Sequence, residues 1–102
     1  MLFFARLEGS QTTHTRISIG FGDTPAPNTA IVPAAIAAIA SLNLPGGQGL
    51  LINGPVSIPA AFAIAHTVAH LYAFIAVWDP KLQTYIVAIS HDPSHKPGDT
   101  IP

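Results

Sequence analysis

Gly49-Leu-Leu-Ile-Asn-Gly-Pro-Val-Ser-Ile-Pro-Ala-Ala-Phe-Ala-Ile-Ala-His-Thr-Val-Ala-His-Leu-Tyr-Ala-Phe-Ile-Ala-Val-Trp78 is the stretch that decides the fold. Its opening run, 49–53, is short and apolar, as a central strand covered on both faces must be. Gly54-Pro55 breaks that run, Ser57 has the chemistry of a helix cap, and Pro59 falls in the first turn of a helix expected over 58–71. An apolar run extends from Tyr72 to Trp78 and reads as a second strand. Strand, helix and strand in this order predict a right-handed crossover with the two strands parallel.

The flanks extend this unit. Residues 2–8 and 15–21 alternate apolar and polar side chains across the loop Gly9–His14, which predicts an antiparallel pair. A Pro-rich connection leads to a helix expected over 30–41, capped by Asn28 or Thr29. Ile31, Ala35, Ile36 and Ile39 form its expected buried stripe, and Pro33 is tolerable there in the first turn. After Trp78 the chain turns at Asp79-Pro80-Lys81 and returns as a strand over 84–90. His91–Gly98 reads as a polar loop, and Asp99-Thr-Ile-Pro102 as the start of another element that is cut short. The expectation is one α/β domain over 1–102, with a mixed sheet of about five strands and two helices, excised from or fused to a longer chain after residue 102.

Composition narrows what such a domain can bind. Hydrophobic residues make up 49% of the chain and charged residues 9%, far below the roughly 25% of an ordinary domain. So little charge leaves apolar surface to be covered, which favours a dimer or a partner domain. The net charge is −1, and only Arg6, Arg16, Lys81 and Lys96 carry fixed positive charge, so the footprint for duplex DNA is absent. A small anion held by backbone amides and a few side chains fits better. The chain has no cysteine, which excludes disulfides and thiolate metal sites and fits a cytoplasmic protein. Residues 55–78 carry no fixed charge, but Pro55, Ser57, Pro59, His66, Thr67 and His70 interrupt them, so no membrane span is expected.

His66 and His70 stand four apart, a spacing that lets two imidazoles share a metal on one helical face. Asp79 looks like a third ligand, but strand geometry argues against it. His70 precedes the strand and Asp79 closes it, so roughly 20 Å of extended chain separates them. The antiparallel return brings Ser90 and His91 back toward His70. Two polar poles result: His70, Ser90 and His91 at one, and Asn53, Gly54, Ser57, Asp79 and Lys81 at the other. Ligands of open α/β sheets usually bind at the second kind of end, beyond the carboxyl ends of the strands. A composite site would form where one pole of one subunit faces the opposite pole of another.

From Gly49 to Ile101 the sequence resembles the small ring nucleases linked to type III CRISPR systems, which are related to the CRISPR-associated Rossmann fold. The resemblance lies in Asn53-Gly54-Pro55, Ala65-His-Thr-Val-Ala-His70, Phe74-Ile-Ala-Val-Trp-Asp79-Pro80-Lys81, Ser90-His91 and Gly98-Asp99-Thr-Ile101. It implies a Rossmann-like fold and a homodimer, assembling further to a tetramer or larger, that sandwiches cyclic tetra-adenylate and cleaves it with manganese or another divalent metal. It places the catalytic histidine at His70, the Asp-Pro aspartate at Asp79 and the basic residue at Lys81, with metal donors at Asp79 and His70. Asn53, Gly54, Ser57, Ser90 and His91 become substrate contacts. The family generally has Arg where Lys81 stands, so a bidentate phosphate contact becomes a point charge. The competing expectations are a non-catalytic sensor of the same ring and a structural module without a ligand.

Overall fold

Residues 1–10 and 14–102 are described by a computed structural model. They form β1 (Phe3–Ser10), β2 (His14–Phe21), α1 (Asn28–Ala40), β3 (Gly47–Asn53), α2 (Ile58–Val68), β4 (Tyr72–Asp79), β5 (Thr84–Ser90) and β6 (Thr100–Ile101). The six strands lie in one sheet in chain order. β2, β3 and β4 are parallel, and antiparallel pairs flank them on both sides. The centre of the expected first loop, residues 11–13, lies outside the described residues.

The sheet is mixed, as expected, but has six strands rather than about five. The sixth is the element begun at Asp99. Ile101 pairs with Tyr85 and is buried, and the Thr84 hydroxyl donates to its carbonyl at 2.7 Å. A two-residue strand has no periodicity to read, so only its partners define it.

Both helices lie in crossovers between neighbouring parallel strands, which sends them to the same side of the sheet. They pack on each other and share one core: Ile31, Ala35 and Ile39 of α1 and Ala60, Ile64 and Val68 of α2 against Ile17, Ile19, Leu50, Ile52 and Ile75. Ile36 is not part of that stripe; it is 41% exposed, and Ala34 and Ala38 fill the flanks instead. α1 also starts earlier than its pattern suggests. Pro27 holds the cap position with no side-chain cap bond, which leaves Pro33 inside the helix, on its exposed side. The opposite sheet face carries a smaller cluster of Leu51, Phe74, Ala76, Val87 and Ile101. No helix covers it. The segment after β5 returns over this region, with Gly98 N–H donating to the Val87 carbonyl and Val87 N–H to that of Asp99, both at 2.8 Å.

β3 is buried from Gly49 to Ile52, between the two cores. Gly49 is required by packing: a Cβ there would lie 2.5 Å from the Phe74 ring and 3.0 Å from His14. Phe74 therefore leans across the strand toward His14, their rings meeting edge to face at 5.6 Å.

Candidate functional site

The two ends of the parallel strands are chemically different. At the carboxyl ends, β3 runs out into Asn53 and Gly54, and β4 into Asp79. Gly54 has φ 135°, and a Cβ there would come within 1.7 Å of the Ile19 carbonyl oxygen, so only glycine lets the chain leave β3 beside β2. Ser57 caps α2 as its sequence predicts: its Oγ accepts from the Ala60 amide at 3.3 Å. The same hydroxyl donates to Asn28 Oδ1 at 2.7 Å, so the residue expected to cap α1 ties the two helix starts together instead. Asp79 Oδ1 accepts from the Lys81 amide at 2.8 Å and the Leu82 amide at 3.1 Å, which fixes the turn and leaves Oδ2 free for other work. Asn53 and Lys81 are exposed, and among the described residues Lys81 makes no ion pair.

The amino ends gather histidines. α2 stops at Val68, three residues short of its expected end, so His70 lies beyond the helix. His66 lies in the last turn of α2 and His70 just past its C-cap, Ala69, and both are exposed. His70 stacks on His91, with ring centroids 5.7 Å apart and planes inclined by 18°. His91 is anchored twice: its backbone N–H donates to the Ala73 carbonyl at 2.7 Å, and its Nε2 lies 2.8 Å from the Ala69 carbonyl. That second contact makes Nε2–H the donor and leaves Nδ1 as the free acceptor. Ser90 pairs with Phe74 across the strands, and its Oγ accepts from the Asp92 amide at 3.0 Å.

Sequence reasoning did not single out the neighbouring group of Asp92, Ser94 and His95. Asp92 Oδ1 accepts from the Ser94 amide at 2.9 Å and the Ser94 hydroxyl at 2.7 Å, while Oδ2 lies 3.0 Å from His95 Nδ1. The Ser94 amide first, then the Ser94 hydroxyl and His95, hold the Asp92 carboxyl down at about 2 from its ordinary 3.8. His95 stacks on Phe74 with centroids 4.2 Å apart. The available signal was Asp92-Pro-Ser-His95, a turn-forming aspartate three residues before a histidine.

Asp79 pairs with Thr84 at one end of the β4–β5 ladder and Phe74 with Ser90 at the other. His70 and Asp79 thus lie at opposite ends, as strand length requires. Among the described residues of one protomer, no three His, Asp or Glu side chains converge as a metal site. An apolar groove of about 310 Å³ lies between α2 and β4–β5, lined by residues such as Ile52, Ile64, Val77 and Trp78. Phe62 and Ile58 stand out from α2, 74% and 75% exposed.

A family model described as CRISPR-associated protein (Cas_csx3) matches residues 25–102, which is most of the chain and both poles. The chain belongs to that family. No curated protein matches it. The matched residues begin after β1 and β2. No helix among the described residues is long and apolar enough to cross a membrane.

Proposed function

We propose that this CRISPR-associated protein is a ring nuclease, a phosphodiesterase that binds cyclic tetra-adenylate and opens it, switching off type III signalling. The observation that carries the reading is the separation of solvent-accessible functional groups along β4. His70 and His91 lie at one end, and Asp79 and Lys81 at the other. One phosphodiester meets both sets only if the poles of two protomers face each other. The ring, sandwiched between copies of the chain, supplies the reason for that meeting.

In this reading Asn53, Gly54 and Ser57 present backbone and the α2 start to ring phosphates. Lys81 neutralises a phosphate, and His70 moves a proton. Ser90 and His91 complete the opposite wall. A divalent cation such as manganese would be held between protomers, with Asp79 Oδ2 and a His70 imidazole as donors from different chains. When bound it would polarise a phosphoryl oxygen. The low charge content and the apolar groove beside Phe62 favour a homodimer as the building unit, stacking into a tetramer or larger assembly. Membership of a CRISPR-associated family supports a cytoplasmic location in this reading.

A second reading, a sensor that binds the ring without cleaving it, is favoured by one detail. Ser57 Oγ and Asp79 Oδ1 are already committed to the fold. Incubation with cyclic tetra-adenylate, with and without manganese, followed by chromatography of the products, decides between them. Linear products that vanish on His70→Ala, with ring binding kept, support the nuclease. Tight binding with no product after long incubation supports the sensor.

A further inference from the structure

The loop after β5 holds the one histidine among those described whose ring is oriented by a carboxylate. His95 Nδ1 lies 3.0 Å from Asp92 Oδ2, and Asp92 is itself pinned by the Ser94 amide and hydroxyl. Phe74, fully buried, supports the flat face of the His95 ring at 4.2 Å. A ring held at its Nδ1 and on one face has Nε2 as its remaining polar atom. That atom has no protein partner and is not buried, since the only buried, unpartnered side-chain polar atom among the described residues is the Tyr72 hydroxyl. His70, by contrast, has no hydrogen-bond partner that fixes its tautomer, and His91 spends Nε2 on the Ala69 carbonyl.

His95 also faces the right place. An open hollow of about 520 Å³ is lined by Ser90, His91, Asp92, His95 and Lys96 together with two prolines. His70 stacks on the His91 wall of that hollow. Lys96 brings a fixed positive charge, and the Asp92 carboxylate is occupied by its three hydrogen bonds. Asp99 accepts from the Lys96 backbone amide and sits at the outer end of the loop. The space suits a phosphate with its adjoining sugar.

We infer that His95, held by Asp92, is a second acid–base residue of this pole and works on a phosphodiester lying in the hollow between His91 and Lys96. The inference rests on the phosphodiesterase reading above and adds a group to it. The ribose 2′-hydroxyl gives its proton to His95 Nε2, and its oxygen bonds to the neighbouring phosphorus. The bond from phosphorus to the 5′-oxygen breaks, and that oxygen takes a proton from solvent, to which the His95 imidazolium later returns its own. The products are a 2′,3′-cyclic phosphate end and a 5′-hydroxyl end, with no further reactant. Asp92 stabilises the imidazolium formed on His95 and keeps the free electron pair on Nε2 beforehand, so it is a positioning residue.

The test uses two variants that preserve the packing. His95→Phe keeps a flat ring against Phe74 and removes both nitrogens. Asp92→Asn keeps the acceptor for Ser94 but turns a donor toward His95 Nδ1, which moves the ring proton to Nε2. The expected result is a fall in kcat of about 10²–10⁴-fold for His95→Phe, with KM little changed and one limb of the pH–rate profile lost. Asp92→Asn falls in the same direction, and long-range ¹⁵N–¹H spectra show its His95 proton on Nε2 instead of Nδ1. Cleavage by His95→Phe at the wild-type rate, with an unchanged thermal midpoint, overturns the inference and leaves the nuclease reading standing. If the wild type itself does not cleave the ring, that reading fails. The inference then falls with it, because it rests on that reading.

Discussion

The two ends of the β2–β4 sheet hold polar groups for opposite reasons. At the carboxyl ends much of the polar chemistry serves the fold. Ser57 caps α2 and binds Asn28, Asp79 closes a turn, and Gly54 lets the backbone pass Ile19. At the amino ends the polar groups brace a surface loop and leave ring nitrogens uncommitted: a stacked histidine pair and a carboxylate-held imidazole around an open hollow. A residue that is both structural and functional cannot be removed without losing both roles, so mutagenesis at the first pole reads stability together with activity. At the second it reads activity more cleanly.

Glycine substitutions give the largest test of that difference. Gly54→Ala meets the Ile19 carbonyl from a positive φ, and a loss of about 3 kcal/mol in unfolding free energy is expected. Gly98→Ala, at φ 98° with open space around it, carries backbone strain alone, roughly 1–2 kcal/mol. Denaturant melts of both measure the contrast. Equal losses would mean that the histidine-pole loop is as tightly built as the carboxyl pole.

Next in size is Ser57→Ala. It removes the α2 cap and the link to Asn28, and a loss of about 1 kcal/mol is expected. An unchanged thermal midpoint would return Ser57 to a purely ligand-facing role.

How far these poles could be read from the chain depends on what kind of interaction built them. The strand–helix–strand unit was legible because the centre of β3, from Gly49 to Ile52, is apolar and Ser57 and Pro59 punctuate the start of α2. Strand length alone placed His70 and Asp79 at opposite ends. The start of α1 was not legible, because Pro27 offers no side-chain cap and Asn28 is used by the other helix. The early stop of α2 was hidden as well, since Ala69, His70 and Leu71 carry no breaker. His95 escaped notice because it lies in a loop and its partner Phe74 in a strand some twenty residues earlier, where Gly49 leaves room for the ring. Such contacts between distant segments leave no local pattern.

The smallest effect is electrostatic and local. Asp92 stays ionised in the native loop down to about 2, whereas the unfolded chain protonates near 3.8. The carboxylate's contribution is therefore complete above 3.8 and is lost as pH falls from there toward 2. The Ser94 amide proton, bonded to Asp92 Oδ1, should titrate with its midpoint near 2. A midpoint at the ordinary value would mean the loop is not latched in solution.

The central claim is that the two poles act together only between protomers. His70→Ala disables one pole, and Asp79→Asn disables the other while keeping an acceptor for the Lys81 and Leu82 amides. Each variant alone should leave cyclic tetra-adenylate intact, and an equimolar mixture should regain cleavage, because a wild-type His70 pole then meets a wild-type Asp79 pole. A mixture as inactive as its parts, under conditions where the unmutated protein opens the ring, would contradict the account.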